Sequence, residues 1–159
     1  MSKLFLLGEY RRSLDERYRL SLPSPLAEGL CAVGEECALT KERAGVLGLW
    51  SAADWRDKLD AGVRLVQDKM QAGRLDGRID EVQTLGRLLS TRHTLVRLAG
   101  RSRLSLPEGF REFLGVAPGG ELLVVGAAVC VELWQPAVWF RYIEENMPDF
   151  RRLFDNLSS

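Results

Sequence analysis

The chain has 159 residues, 46% of them hydrophobic, enough for one domain with its own core, while its longest uncharged apolar runs, such as Leu122 to Val131, fall far short of a bilayer span. Lys and Arg together number 22 and Asp and Glu 22, a formal net charge of zero that taken alone argues against a nucleic-acid partner. Cys31, Cys37 and Cys130 cannot all pair within one chain and lack C-x-x-C spacing, so they read as small buried hydrophobes; Lys3 precedes an apolar run with no cleavage pattern after it, which reads as cytoplasmic.

Leu4 to Leu7, Tyr10 to Leu14 and Tyr18 to Leu22 have the apolar or alternating character of strands. In the third, Leu20 and Leu22 face one way and Arg19 and Ser21 the other, and Leu14 to Tyr18 reads as a turn or bulge. After Pro23, Leu26 to Leu30 predicts one or two helical turns, and Glu36 to Lys41 with Gly45 to Trp50 predicts a hairpin. Ser51-Ala52-Ala53-Asp54 has capping-box spacing and opens a helix with Trp55, Leu59, Val63, Val66 and Met70 on one stripe. Gln71 to Asp80, with Gly73 and Gly77, reads as a polar linker, and Ile79 to Leu89 as a further helix weakened by Gly86.

The succession then repeats. Arg103 to Pro107 predicts a strand, Phe110 to Leu114 helical turns, and Glu121 to Gly126 with Ala128 to Trp134 a hairpin. Pro136 suits the first turn of a helix carrying Trp139, Ile143 and Met147 on one face. The tail from Asp149 to Ser159 adds a helical turn through Phe150, Leu153 and Phe154, for which packing on their own chain is favoured over binding a neighbouring subunit.

One offset of 84 residues relates the two halves without a gap. Arg19-Leu20-Ser21-Leu22-Pro23 returns as Arg103-Leu104-Ser105-Leu106-Pro107, and the same offset carries Leu30 onto Leu114, Leu39 onto Leu123, Leu49-Trp50 onto Leu133-Trp134 and Trp55 onto Trp139. Two copies of a unit too small to bury its own apolar face imply packing about a pseudo-two-fold axis, a symmetry that suits a palindromic or tandemly repeated partner.

The charge is not evenly spread. Between Glu81 and Glu108 no acid occurs, while Arg87, Arg92, Arg97, Arg101 and Arg103 all lie there. Around the first copy Arg11, Arg12, Arg17 and Arg19 are diluted only by Glu9, Asp15 and Glu16. The basic side is thus tied to the duplicated segment. Arg outnumbers Lys 18 to 4, which suits bidentate contact with phosphates or guanine edges, although a GC-rich genome explains the ratio equally well.

The segment Ser13-Leu14-Asp15-Glu16-Arg17-Tyr18-Arg19-Leu20-Ser21-Leu22-Pro23 resembles the first signature of the MraZ family, of the AbrB/SpoVT class of swapped-hairpin DNA-binding proteins. Glu132-Leu133-Trp134 leading into the Trp139 helix is similar to the family's second half, and Arg87-Leu88-Leu89 to the end of its connecting helix. The resemblance implies an α+β fold of two tandem AbrB-like swapped-hairpin β-barrel halves related by a pseudo-two-fold axis, with helices after each half. Residues 1–159 then form one pseudo-symmetric domain: a first repeat over 4–59, connecting helices and linker over 60–90, a second repeat over 91–147, and a tail over 148–159.

The resemblance also implies a repressor-type transcriptional regulator that acts as a homo-oligomeric ring on tandem repeats of double-stranded DNA upstream of its own division and cell-wall operon, cytoplasmic and associated with the nucleoid. The family's DNA-contacting Arg falls on Arg19, with Arg17 beside it; the matching pair in the second copy is Arg103 and Arg101. Asp15 supports Arg19 in a charged pair, and Arg12 and Arg97 add positive charge nearby. The Gly expected before the motif Arg is Tyr18 and Ser102 here, and the motif Asp is Ala99 in the second copy, so the two halves are expected to be unequal readers.

Enzymatic readings find little support. His93 is the only histidine, and no Gly-rich phosphate loop or nucleophile elbow occurs, so no catalytic residue, metal or other cofactor, small-molecule substrate or membrane partner is expected. Asp15-Glu16 reads as a turn and an ion-pair partner, and Trp50, Trp55, Trp134 and Trp139 as symmetric core rather than stacking platforms. The alternative of a different class is an oligomeric protein-interaction scaffold of the same fold without operator binding, in which Arg19 and Arg103 are buried in ion pairs.

Overall fold

In a computed structural model the chain is described over residues 5–31 and 35–159. The strand expected over Leu4 to Leu7 begins outside the described residues; within them Leu6 makes an isolated antiparallel bridge to Ala128. The first copy contributes β1 (Glu9–Ser13), β2 (Arg19–Ser21), α1 (Ser24–Leu30), β3 (Glu36–Arg43), β4 (Val46–Ser51) and α2 (Ala52–Gln71). A 3-10 turn at Asp76–Arg78 leads into α3 (Ile79–Arg92), which extends past its expected end at Leu89. The second copy follows as β5 (His93–Arg97), β6 (Arg103–Ser105), α4 (Phe110–Leu114), β7 (Glu121–Gly126), β8 (Val131–Trp134) and α5 (Pro136–Asn146). A 3-10 turn at Met147–Asp149 and α6 (Phe150–Ser158) close it.

The sheet records the duplication. Its six strands run in the order β1-β7-β8-β4-β3-β5, all neighbours antiparallel, and exchanging each strand for its 84-residue counterpart returns the same order reversed. Gly48 faces Glu132 at the middle of the β4–β8 pair, and Leu20 faces Leu104 at the middle of a separate β2–β6 ribbon. Each of these pairs joins equivalent positions, so the pseudo-two-fold axis passes through both. The first strand of each copy pairs with the other copy's hairpin, β1 with β7 and β5 with β3.

Period-two patterning explains the core. Leu20, Leu22, Leu104 and Leu106 turn inward from the ribbon onto Leu39, Leu49, Leu122, Val124 and Leu133 of the sheet, and Leu26, Leu30, Phe110 and Leu114 of the short helices close the same cluster. The expected tryptophan symmetry is present. Trp55, Trp134 and Trp139 are buried and Trp50 half-buried, with Trp134 meeting Trp139 edge-on at 5.0 Å between ring centroids.

The helix starts follow their caps. Ser51 Oγ accepts from Asp54 N–H at 3.2 Å at the head of α2, and Gln135 Oε1 accepts from Val138 N–H at 3.0 Å ahead of Pro136 in α5. Among the described residues no helix is long and apolar enough to cross a membrane.

Two expectations are corrected. Cys31 and Cys37 are joined in a disulfide, because the end of α1 and the start of β3 bring them together; Cys130 alone is a free buried thiol. The tail is not packed on the described residues of its own chain: Phe150, Leu153 and Phe154 are 57%, 57% and 60% exposed, since among those residues nothing is laid over α6.

Candidate nucleic-acid interface

The β2–β6 ribbon presents its polar side outward. Arg19 lies opposite Ser105 and Ser21 opposite Arg103, so the two arginines stand diagonally on one face while Leu20 and Leu104 hold the other face in the core. A shallow depression of about 240 Å³, lined by Ser13, Asp15, Arg19, Leu20, Ser21 and Arg103, joins them.

The turn before β2 is organised by one carboxylate. Asp15 Oδ1 accepts from the backbone N–H of Arg17 at 2.8 Å and of Arg19 at 2.9 Å, and its Oδ2 pairs with Arg19 Nε at 2.9 Å. These donors, the Arg19 backbone N–H foremost, hold the Asp15 carboxyl below its ordinary value near 3.8. Arg19 is therefore fixed in direction yet still one-third exposed, and Arg17 stands exposed beside it.

The missing glycines do not change the turn's conformation. Tyr18 adopts φ 58° and Ser102 φ 53°, the left-handed region a glycine would have filled without cost, and Arg101 joins them at φ 64°. Symmetric backbone bonds secure both lips: Leu106 N–H donates to Tyr18 O at 2.9 Å and Leu22 N–H to Ser102 O at 3.0 Å. Tyr18 also lies under the Arg111 guanidinium, 4.2 Å from its ring centroid.

The second lip carries no such brace. Ala99 keeps the backbone pair with Arg103 (2.9 and 3.3 Å) but offers no carboxylate, and among the described residues Arg103 has no ion-pair partner. Arg101 is exposed on this turn.

Of the supporting residues, Arg12 reaches the ribbon. Its Nε donates to Ser21 O at 3.2 Å and its Nη1 to Arg11 O at 2.8 Å. Arg97 instead lies at the end of β5, opposite Glu36. Ser21, which the alternation already turns outward with Arg19, and its counterpart Ser105 both lie on this face, although neither hydroxyl was expected among the contacting residues. Asp15-Glu16 behaves as the expected turn and ion-pair element, and His93 is half-buried at the start of β5, its ring 5.5 Å from that of Trp55.

Residues 92–157, essentially the second copy, match the family model described as "MraZ protein, putative antitoxin-like". Proteins named "Transcriptional regulator MraZ" are similar over most of the chain. That of Clostridium beijerinckii is 24% identical over 152 residues, 96% of each chain. Those of Thermus thermophilus and Acetivibrio thermocellus are 27% and 29% identical, covering 87% and 88% of each chain.

The chain is similar to the MraZ family, through the family model over its second copy and through distant relatives over most of its length. The Tyr18, Ala99 and Ser102 departures from the family's motif lie on the turns that flank the ribbon arginines.

Proposed function

We propose that this protein is a sequence-specific DNA-binding transcriptional regulator of repressor type, working in the cytoplasm at the nucleoid. In this reading it acts as a homo-oligomeric ring on tandem repeats upstream of its own division and cell-wall operon, and it performs no catalysis. The observation that carries the reading is the exposed ribbon face on which Arg19, braced by Asp15, stands diagonally to Arg103. Relatives named as transcriptional regulators support it. The exchange of first strands between copies supports reading the halves, over residues 4–59 and 91–147, as AbrB-like swapped hairpins forming one barrel. The scaffold alternative requires both ribbon arginines to be buried in ion pairs, and the exposure of Arg19 weighs against it.

Chemically, Arg17, Arg19, Arg101 and Arg103 contact phosphates and probe a groove, with Asp15, Arg12 and Arg97 in support. Each phosphate neutralised on duplex DNA lowers the slope of log affinity against log salt by about 0.9, so binding weakens steeply as salt rises. A single subunit offers few such contacts, and linking subunits at matched spacing raises avidity by about a hundredfold or more. Spacing of the repeats then carries much of the specificity.

Fluorescence anisotropy tests this. The protein is titrated onto its own upstream DNA at two salt concentrations, against a scrambled duplex and with the Arg19→Ala variant. Submicromolar, salt-sensitive binding that the variant and the scrambled duplex lack is expected; an oligomeric protein that binds nothing at low salt would favour the scaffold.

A further inference from the structure

A tyrosine at positive φ needs support that a glycine in its place would not. Tyr18 stands at φ 58° between Arg17 and Arg19, the two arginines of the first lip. Were it to relax to an ordinary conformation, the chain on either side would swing, and the N–H groups of Arg17 and Arg19 could no longer share Asp15 Oδ1 at 2.8 and 2.9 Å. The direction of both arginines therefore depends on what holds Tyr18.

Its backbone is fixed at both polar atoms: the N–H donates to Asp15 O at 3.0 Å, and the carbonyl accepts from Leu106 N–H at 2.9 Å. Its ring is covered by Arg111 of α4, whose guanidinium lies 4.2 Å from the ring centroid and whose Nε donates to Leu106 O at 2.7 Å. Leu106 thus bonds Tyr18 through its N–H and Arg111 through its carbonyl, and lip, ribbon and helix close a circuit of three residues. Arg111 is half-buried and makes no ion pair among the described residues, so this ring and this carbonyl are what orient its cation.

The other lip keeps one contact of the three. The 84-residue offset carries Tyr18 onto Ser102, which has no ring, and Arg111 back onto Ala27, which is buried and has no side-chain donor. What persists is the backbone bond from Leu22 N–H to Ser102 O at 3.0 Å.

We infer that Arg111 is a positioning residue for DNA binding: it clamps the Tyr18 ring, keeps residue 18 in the left-handed conformation, and so holds Arg17 and Arg19 in direction without itself contacting the duplex. The first lip is in this way completed by a helix of the second copy. A planar guanidinium suits the task, since it lies flat on a ring while its Nε bonds in the plane, and an ammonium cannot do both. The inference rests on the DNA-binding reading and adds to it a residue outside the ribbon and its turns.

Anisotropy titrations of the full chain onto its upstream DNA, at several salt concentrations, test it with Arg111→Leu, Arg111→Lys, Tyr18→Gly and the combination of Tyr18→Gly with Arg111→Leu. Arg111→Leu should lower affinity by about tenfold and leave the slope of log affinity against log salt unchanged. Arg111→Lys should lose nearly as much, and it gives the same readout if the leucine variant fails to fold. In the Tyr18→Gly background the leucine should cost no more than about twofold, because glycine holds the turn unaided. A slope that falls by about 0.9 would make Arg111 a phosphate contact in its own right and overturn the positioning role. Full rescue by lysine, or an equal loss in the glycine background, would overturn it too.

Amide hydrogen exchange on the free protein separates this inference from the reading beneath it. In Arg111→Leu the Tyr18, Arg19 and Leu106 amides should exchange about tenfold faster, while the Leu22 amide, the equivalent bond of the second lip, keeps its rate. Unchanged exchange at the first lip would overturn the proposal whether or not DNA binds. A wild type that binds no duplex at low salt, with the exchange result as expected, would overturn the DNA-binding reading while supporting the clamp on Tyr18.

Discussion

Gly48 and Glu132 are the same position in the two copies, and they face each other across the central strand pair. The axis would place two identical side chains there, and the surroundings admit only one. A Cβ on Gly48 would come within 2.6 Å of Thr40 Oγ1 and 2.7 Å of Glu42 Oε1, whereas Glu132 Oε1 accepts from Trp134 Nε1 at 3.0 Å. Trp50, the counterpart of Trp134, has its buried Nε1 without a partner among the described residues.

Burial first, and repulsion by Glu42 second, push the Glu132 carboxyl above its ordinary value near 4.5. A carboxyl raised on folding contributes stability in its protonated form, and that contribution is lost as pH rises from the ordinary value through the raised one. Glu132→Gln keeps an acceptor for Trp134 and removes the charge. Thermal melts at pH 4 and pH 8 should therefore show the variant gaining on the wild type as pH rises, and a pH-independent difference would refute the assignment.

Asp15→Ala deletes the acceptor of three hydrogen bonds at 2.8–2.9 Å and frees the Arg19 side chain. Affinity for the upstream DNA should fall by about tenfold, equivalent to about 1.4 kcal/mol. Ala99→Asp supplies the same brace to Arg103 and should shift affinity the other way. Anisotropy titrations of both variants check the pair, and equal effects of the same sign would discard the bracing argument.

Ser102 holds φ 53° with no ring to anchor it, and its carbonyl bond from Leu22 survives any side chain. Ser102→Gly should raise stability by about 1 kcal/mol in urea denaturation, the order of the left-handed cost relieved. Tyr18→Gly should not gain, because it also removes the ring that packs on the core and lies under Arg111.

Desolvation, with Glu132 and Glu42 nearby, pushes the Cys130 thiol up to about 12. Only the thiolate is strongly nucleophilic, so native protein at pH 8 should resist a thiol reagent at Cys130 and react once denatured. Mass spectrometry of alkylated native and denatured samples reads this directly. Rapid native labelling of Cys130 would count against the burial of that strand end.

The duplication was legible because identical tasks left identical residues, from Arg19 and Arg103 to Trp55 and Trp139. The inward turn of Leu20 and the outward turn of Arg19 followed from a period of two. Which strands pair did not follow, since alternation tells a strand its faces and nothing about a neighbour as distant as β7 is from β1. The pattern of α6 revealed an apolar side, but only the fold shows that nothing among the described residues covers it. Positive φ at Tyr18 and Ser102 was hidden by the absence of glycine. Cross-ribbon bonds from Leu106 and Leu22 accompany that conformation, and they join residues far apart in the chain.

The exchange of first strands imposes an order of events on synthesis. Glu9 is registered with Val125, 116 residues later, so at elongation rates of about 5–20 residues per second β1 leaves the ribosome on the order of ten seconds before β7 exists to receive it. β5 meets the opposite circumstance, since β3 has already emerged when it appears. The nascent first copy therefore waits with two unpaired strand edges; β5 and β6 reach β3 and β2 first, and the later arrival of β8 on β4 is an act of closure that no half of this protein can perform alone.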